Sequence, residues 1–299
     1  MKTQKKKKHP QRNIDIGYYT VAFLDVLGQQ EKLRSLRSLP DKSNEEQMDT
    51  FIKDLKGTYG VVTSMRKMFK DFFRSFSKRD TDVSILTADQ RKIYKQLTSN
   101  PIQIKSFSDA IIVFVSLRTD KVKLPTRGIW GIMAAAASTA LLSLAAGHPI
   151  RGGIDIGLGM EIEEGEIYGP SLARAYSLES KIAQYPRIVV GKECIDYLQM
   201  TARLKPNDIY SEVGSISAKQ CLKLLTIDDD GCPIIDFLGD HFWQSTGNII
   251  EKEIIDKAYQ NIIKFSQKFK NENDTKKAFR YTLLRGYFEH RLANWKNNK

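Results

Sequence analysis

The chain has 299 residues, 41% hydrophobic and 27% charged, with 47 Lys and Arg against 35 Asp and Glu. This excludes a collagen, a coiled-coil rod and a mostly disordered chain, and the length is ample for a buried core in one or two domains. The formal charge of +12 suits a polyanionic partner: nucleic acid, an anionic membrane surface or a phosphate-rich substrate.

Lys2, Lys5, Lys6, Lys7, Lys8 and Arg12 precede the first acid, Asp15, so residues 1–16 read as a solvated basic tail that inflates the total charge. No aromatic interleaves these lysines and no recognition helix is evident, so the tail reads as solubilising rather than nucleic-acid-binding. No apolar run follows the basic start, so it is not read as a secretory signal. A buried strand is expected over 18–25, a turn at Gly28, a charged helical pattern from Gln29, a loop at 39–46, and helices at 46–56, 62–76 and 87–98. Asn100-Pro101 marks a turn. Apolar runs at 102–107 and 110–117, split by Ser108-Asp109, read as a hairpin. A loop over 118–127 leads to an Ala-rich helix at 128–146. Its uncharged core, Gly131 to Gly147, is short for a membrane span and reads as a core helix. A glycine-dotted strand at 150–158, a turn at 159–165, a helix at 170–184 and a strand at 187–190 follow. Short strands are expected over 208–240, then helices at 248–271 and 275–296. This order points to an α+β or α/β sandwich.

Cys194, Cys221 and Cys232 form no CxxC and no disulfide framework, and the four histidines lie far apart, so no zinc set is read and a reducing, cytosolic compartment is expected. Neither GxxxxGK nor GxGxxG opening a helix is present. Asp25 and Asp109 each end a strongly apolar strand. If those strands are neighbours the two carboxylates converge, and two carboxylates without His or Cys suit Mg²⁺ or Mn²⁺, which prefer oxygen donors. Taken alone, either aspartate reads first as a turn former bonding its own backbone.

Phe23-Leu24-Asp25-Val26-Leu27-Gly28 resembles the first metal motif of class III nucleotidyl cyclases, F-x-D-[IV]-x-G. Lys105-Ser106-Phe107-Ser108-Asp109 resembles their K-x-x-G-D, with Ser for Gly. Arg151 to Gly157 resembles R-I-G-I-x-x-G, and Tyr168-Gly169, Ala175 and Leu178-Glu179 resemble W/Y-G-x-x-V-N-x-A-A-R-L-E. The four motifs stand in family order over 17–190. The resemblance implies a class III catalytic fold, a ferredoxin-like sheet flanked by helices over 17–240, with an insertion at about 60–100 and a helical extension over 241–299. It implies Asp25, Asp109 and the Val26 carbonyl as ligands to two Mn²⁺ or Mg²⁺ ions. Phe23, Leu27, Gly28 and Gln29 would lie along the triphosphate, and Lys105 and Glu166 would read the base. The implied reaction is attack of a ribose 3′-hydroxyl on the α-phosphorus, leaving a 3′,5′-cyclic nucleotide and pyrophosphate.

Two departures accompany the match. The family's transition-state asparagine falls on Ala173 and its arginine on Ser177, so Arg174 or Arg151 is expected to supply the missing positive charge. Together with the chain length, the F-L-D-V-L-G wording and the helical extension, these departures resemble the Pycsar pyrimidine cyclases, bacterial antiphage enzymes that make cyclic UMP or cyclic CMP. That likeness implies a UTP or CTP substrate, a homodimer with composite sites, and a separate effector that reads the product. The alternatives are a catalytically silent cyclase-like module, favoured by Ala173 and Ser177, and a purine nucleotide cyclase.

Overall fold

The computed structural model describes residues 15–29, 33–34, 36–78, 87–97, 102–117, 126–163, 165–246 and 251–297. Most of the basic tail, the turn at Asn100-Pro101 and most of the 118–127 loop lie outside the described residues. Asp15 and Ile16, read as the end of the tail, already belong to the first strand.

Strand β1 (Asp15–Val26) leads to helix α1 (Glu45–Lys78), helix α2 (Ala88–Leu97) and a hairpin of β2 (Gln103–Phe107) and β3 (Ala110–Ser116). Helix α3 (Thr126–Ala145) returns the chain to β4 (Ile150–Glu163). These four strands lie in the order β2-β3-β1-β4 with every pair antiparallel, so βαββαβ in sequence becomes the ferredoxin-like sheet that was expected. Then follow β5 (Glu166–Tyr168), α4 (Pro170–Ser177) with a π-helical turn at Leu178–Ile182, β6 (Ile188–Val190), α5 (Lys192–Arg203) and α6 (Ile209–Lys223). The chain ends with β7 (Leu225–Ile227), β8 (Pro233–Ile235), α7 (Asp240–Thr246), α8 (Lys252–Asn271) and α9 (Thr275–Asn297). Strand β6 joins β4 in parallel, and β8 and β7 extend the sheet to eight strands, giving a mixed α+β fold.

The period-two alternation of β1 assigns its two faces. Ala22, Leu24 and Val26 meet α1 and α3 in the main core, whereas Tyr19, Val21 and Phe23 meet Ala175 of α4 on the opposite face. Helix α3 is apolar and long enough to cross a membrane, but 89% of its apolar window is buried inside the fold, so it is the core helix that was expected.

Three expectations are corrected. The helices expected at 46–56 and 62–76 are one 34-residue helix, whose second half buries Val62, Met65, Phe69, Phe73 and Phe76 in the core. The strand expected to end at 158 runs on to Glu163 and forms a hairpin with β5. Part of 208–240, read as strand, is α6, whose start is fixed by a reciprocal Asp208–Ser211 capping box. Helices α8 and α9 share the main core through Ile255, Ile262, Tyr281, Leu284 and Phe288. Cys194, Cys221 and Cys232 are free thiols.

Candidate active site

Asp25 stands near the end of β1, opposite Ala110 on β3 and Arg151 on β4. Asp109 precedes β3 in the tight β2–β3 turn, where Ser108 takes φ 54°. The Val26 N–H donates to the Asp109 carbonyl at 3.1 Å, so the residue after Asp25 is clamped to Asp109, 83 positions on in the sequence. Asp25 lies on the α4 face of the sheet, with Phe23 and Val21.

Helix α4 reaches that face because β4 carries glycine beneath it. A Cβ at Gly153 would lie 2.5 Å from Leu178 Cβ and 2.8 Å from Glu179 N, and closer still to the Ala175 carbonyl. The π-helical turn that follows sets Glu179, 2% exposed, against Arg151 and Asp25. Arg151 Nε is 2.5 Å from Glu179 Oε1, and Arg151 Nη2 is 3.6 Å from Asp25 Oδ2. Burial, then the Glu179 and Asp109 charges, push the Asp25 carboxyl up to about 7; Arg151 opposes them, and protonated Asp25 donates to Glu179. Burial also raises the Glu179 carboxyl, against the pull of Arg151. The cluster therefore sets three carboxyl groups around the Arg151 guanidinium, whose charge also reaches Arg280.

The residues expected along a triphosphate are divided by the fold. The Phe23 ring packs edge-on to Tyr176, centroids 5.3 Å apart, and is 6% exposed, so its main chain alone is left to meet a ligand. Leu27, whose N–H donates to the Pro149 carbonyl at 2.9 Å, and exposed Gly28, at φ 84°, form the turn after β1. Gln29 is 2% exposed, and its Oε1 has no partner among the described residues. Lys105 is exposed on β2, two strands and about 10 Å across the sheet from β1. Its Cε lies against Gly165, where a Cβ would collide with it, and Glu166 is the next residue. Lys105 thus lies against the residue that precedes Glu166.

Arg174 does not join Asp25. Its Nη1 donates to the Ile156 carbonyl at 3.1 Å and stands 3.8 Å from Glu193. Ile156 is five residues along β4 from Arg151, about 17 Å. Among the described residues of one chain, the cation paired with Asp25 is Arg151. Ala173 is exposed on α4 and Ser177 is half-buried. Glu179 was not read as a site residue: its only trace in the sequence is the final acid of the fourth motif, and its place depends on a turn that the sequence does not announce. Asp155 was also missed. It is buried and accepts from the Cys194 N–H at 3.0 Å, capping α5 from β4, because the helix's own N-cap, Gly191, has no side chain to do so.

The donor set at Asp25 and Asp109 is two hard carboxylates, and no group of three or more His, Cys, Asp or Glu able to hold a metal occurs among the described residues. Two hard carboxylates are the oxygen donors that Mg²⁺ or Mn²⁺ prefer.

No family model matches the chain, and no curated protein matches it. Among solved structures the chain is similar to the catalytic core of a rhodopsin-guanylyl cyclase with converted specificity in complex with ATPalphaS, at 12% identity and a TM-score of 0.35, over 74% of this chain and 94% of that one. It is also similar to a bacterial light-regulated adenylyl cyclase, at 8% identity and a TM-score of 0.38, over 82% and 99% of the two chains. Likenesses of this size assign no activity to the chain.

Proposed function

We propose that the chain is a nucleotidyl cyclase that converts a pyrimidine nucleoside triphosphate, UTP or CTP, to its 3′,5′-cyclic nucleotide and pyrophosphate. The observation that carries this reading is the meeting of Asp25 and Asp109 at one end of β1 and β3, with a guanidinium beside them. The order of the four motifs and the contact of Lys105 with the Gly165-Glu166 turn support it.

In this reading Asp25 and Asp109 hold two divalent ions, which when bound stabilise the attacking and leaving oxygens. Arg151 faces the phosphates, and Lys105 and Glu166 orient the base. Ala173 and Ser177, at the family's transition-state positions, leave the ribose and the developing charge to other groups of this chain. The working form is a homodimer in the cytosol, its product read by a separate effector in antiphage defence.

The test is purified protein with each of the four nucleoside triphosphates and Mn²⁺, resolved by chromatography. Cyclic UMP or cyclic CMP is expected. A purine cyclic product would keep the cyclase and overturn the pyrimidine assignment. No product from any of the four, even with infected-cell extract added, would leave a silent dimerisation module, the reading that Ala173 and Ser177 favour. Asp25→Ala and Asp109→Ala are each expected to lower turnover by about 10³-fold or more with unchanged melting cooperativity. Near-parental turnover in either variant would remove that residue from the metal site.

A further inference from the structure

We propose that Glu179 is a positioning residue of this site: it grips the Arg151 guanidinium and holds it off Asp25, so that phosphate oxygens meet a cation already in place and Asp25 is not locked in an ion pair with it. The proposal rests on the cyclase reading and deepens it.

The distances show which acid wins Arg151. Nε is 2.5 Å from Glu179 Oε1, an ion pair whose angles do not make a hydrogen bond, whereas Nη2 is 3.6 Å from Asp25. A charge-assisted contact closes to about 2.7–2.9 Å when nothing opposes it. Arg151 stops short of that limit on the Asp25 side alone. An arginine at the end of a flexible stem and next to an aspartate would otherwise collapse onto it, occupying the oxygens that the metal ions need.

The backbone is shaped to deliver this carboxylate. Helix α4 changes to a π-helical turn at Leu178–Ile182, and the Ala183 N–H donates to the Leu178 carbonyl at 2.7 Å, five residues back. Such widened turns concentrate at functional sites. Gly153 removes the Cβ that would hold the turn away from the sheet. At the far end, Arg187 Nη2 donates to the Ile182 carbonyl at 2.9 Å, and that arginine is itself held by Asp228 and Asp230. A glutamate serving only solubility would face water. The Glu179 side chain is 3% exposed and lies beside the Arg151 guanidinium.

The test measures pyrophosphate binding by calorimetry in Mn²⁺ buffer, together with KM for the preferred triphosphate, on a cycle of Glu179→Gln, Arg151→Met and the double variant. Glu179→Gln is expected to weaken pyrophosphate and raise KM by about five- to tenfold, with a smaller change in kcat. In the Arg151→Met background the same substitution should change pyrophosphate binding less than about twofold. Parental binding in Glu179→Gln, or an equal loss in both backgrounds, would overturn the proposal, because a merely structural role costs the same with or without the guanidinium. If Glu179→Gln does not fold, the comparison passes to Glu179→Asp, which keeps the charge one methylene back, and to the double variant, which buries no lone charge. Glu179→Asp binding pyrophosphate as tightly as the parent would then overturn it. A protein that makes no cyclic product yet keeps the Arg151-dependent loss of pyrophosphate would sink the cyclase reading and leave the role of Glu179 standing.

Discussion

Asp25 is pressed from three sides: by burial, by Glu179 and by Asp109. Its folded-state value, about 7, lies above the ordinary 3.8, so folding takes up a proton there in the window between them. The stability this contributes is full below pH 3.8 and is lost as the pH rises through about 7. Metal-free protein should therefore melt lower at pH 8 than at pH 5. Asp25→Asn, which cannot ionise, should escape that part of the loss, melting roughly 5 °C above the parent at pH 8 and within about 2 °C of it at pH 5. Thermal unfolding in chelator at the two pH values checks this, and an Asp25→Asn variant no more stable than the parent at pH 8 would count against a strained carboxyl. At this scale the sequence was informative wherever a residue's place follows from its strand. Asp25 and Asp109 end strands whose pairing brings them together, and Lys105 meets the turn before Glu166. It was silent on Glu179 and Asp155, whose partners lie 28 and 39 positions away and are chosen by packing.

Among the elements, α4 and α1 show opposite uses of glycine. Gly153 lies under α4, and an added methyl group would strike the backbone at Ala175 and Glu179. Gly153→Ala should cost about 1–3 kcal/mol, lower the melting temperature by roughly 5 °C and raise KM, since lifting the π-turn draws Glu179 from Arg151. Gly60 lies inside α1, with nothing within 4 Å of an added Cβ. Gly60→Ala should therefore raise the melting temperature by about 2 °C without touching KM. Calorimetry and steady-state kinetics on the pair separate the two. A harmless Gly153→Ala would mean that α4 does not need its close approach. The same glycines explain why α1 was read as two helices. Gly57 and Gly60 interrupt the pattern locally, at about 1 kcal/mol each, but burial of Phe69, Phe73 and Phe76 farther along holds one continuous helix. Likewise α6 was masked by an apolar and small-residue run that reads as strand. The Asp208-x-x-Ser211 cap before it was the legible signal.

The whole molecule is asymmetric in what it leaves uncovered. Past the reach of α1 and α3, β1 and β4 expose Ile16, Tyr18, Leu158 and Ile162, and Tyr168 of β5 continues the strip; Tyr18 pairs with Leu158, and Tyr168 with Met160. A contiguous apolar strip on a sheet is a surface for association. The proposed homodimer gives it an occupant. It also gives a use to Arg174, whose contacts with Ile156 and Glu193 set it about 17 Å along the strand from its own Asp25, beyond reach of a shared phosphate. If Arg174 serves catalysis at all, it serves the partner's site. Asp25→Ala and Arg174→Ala should then each be nearly inactive as homodimers. Mixing and re-equilibrating them should restore up to about one quarter of parental activity, because half the dimers are mixed and each of those has one intact composite site. Leu158→Asp placed in both partners should abolish the restoration by dissociating the dimer, which sedimentation would register directly. Activity that stays at the level of the separate variants after mixing, with mixed dimers demonstrably formed, would show that Arg174 has no part in a site shared between chains.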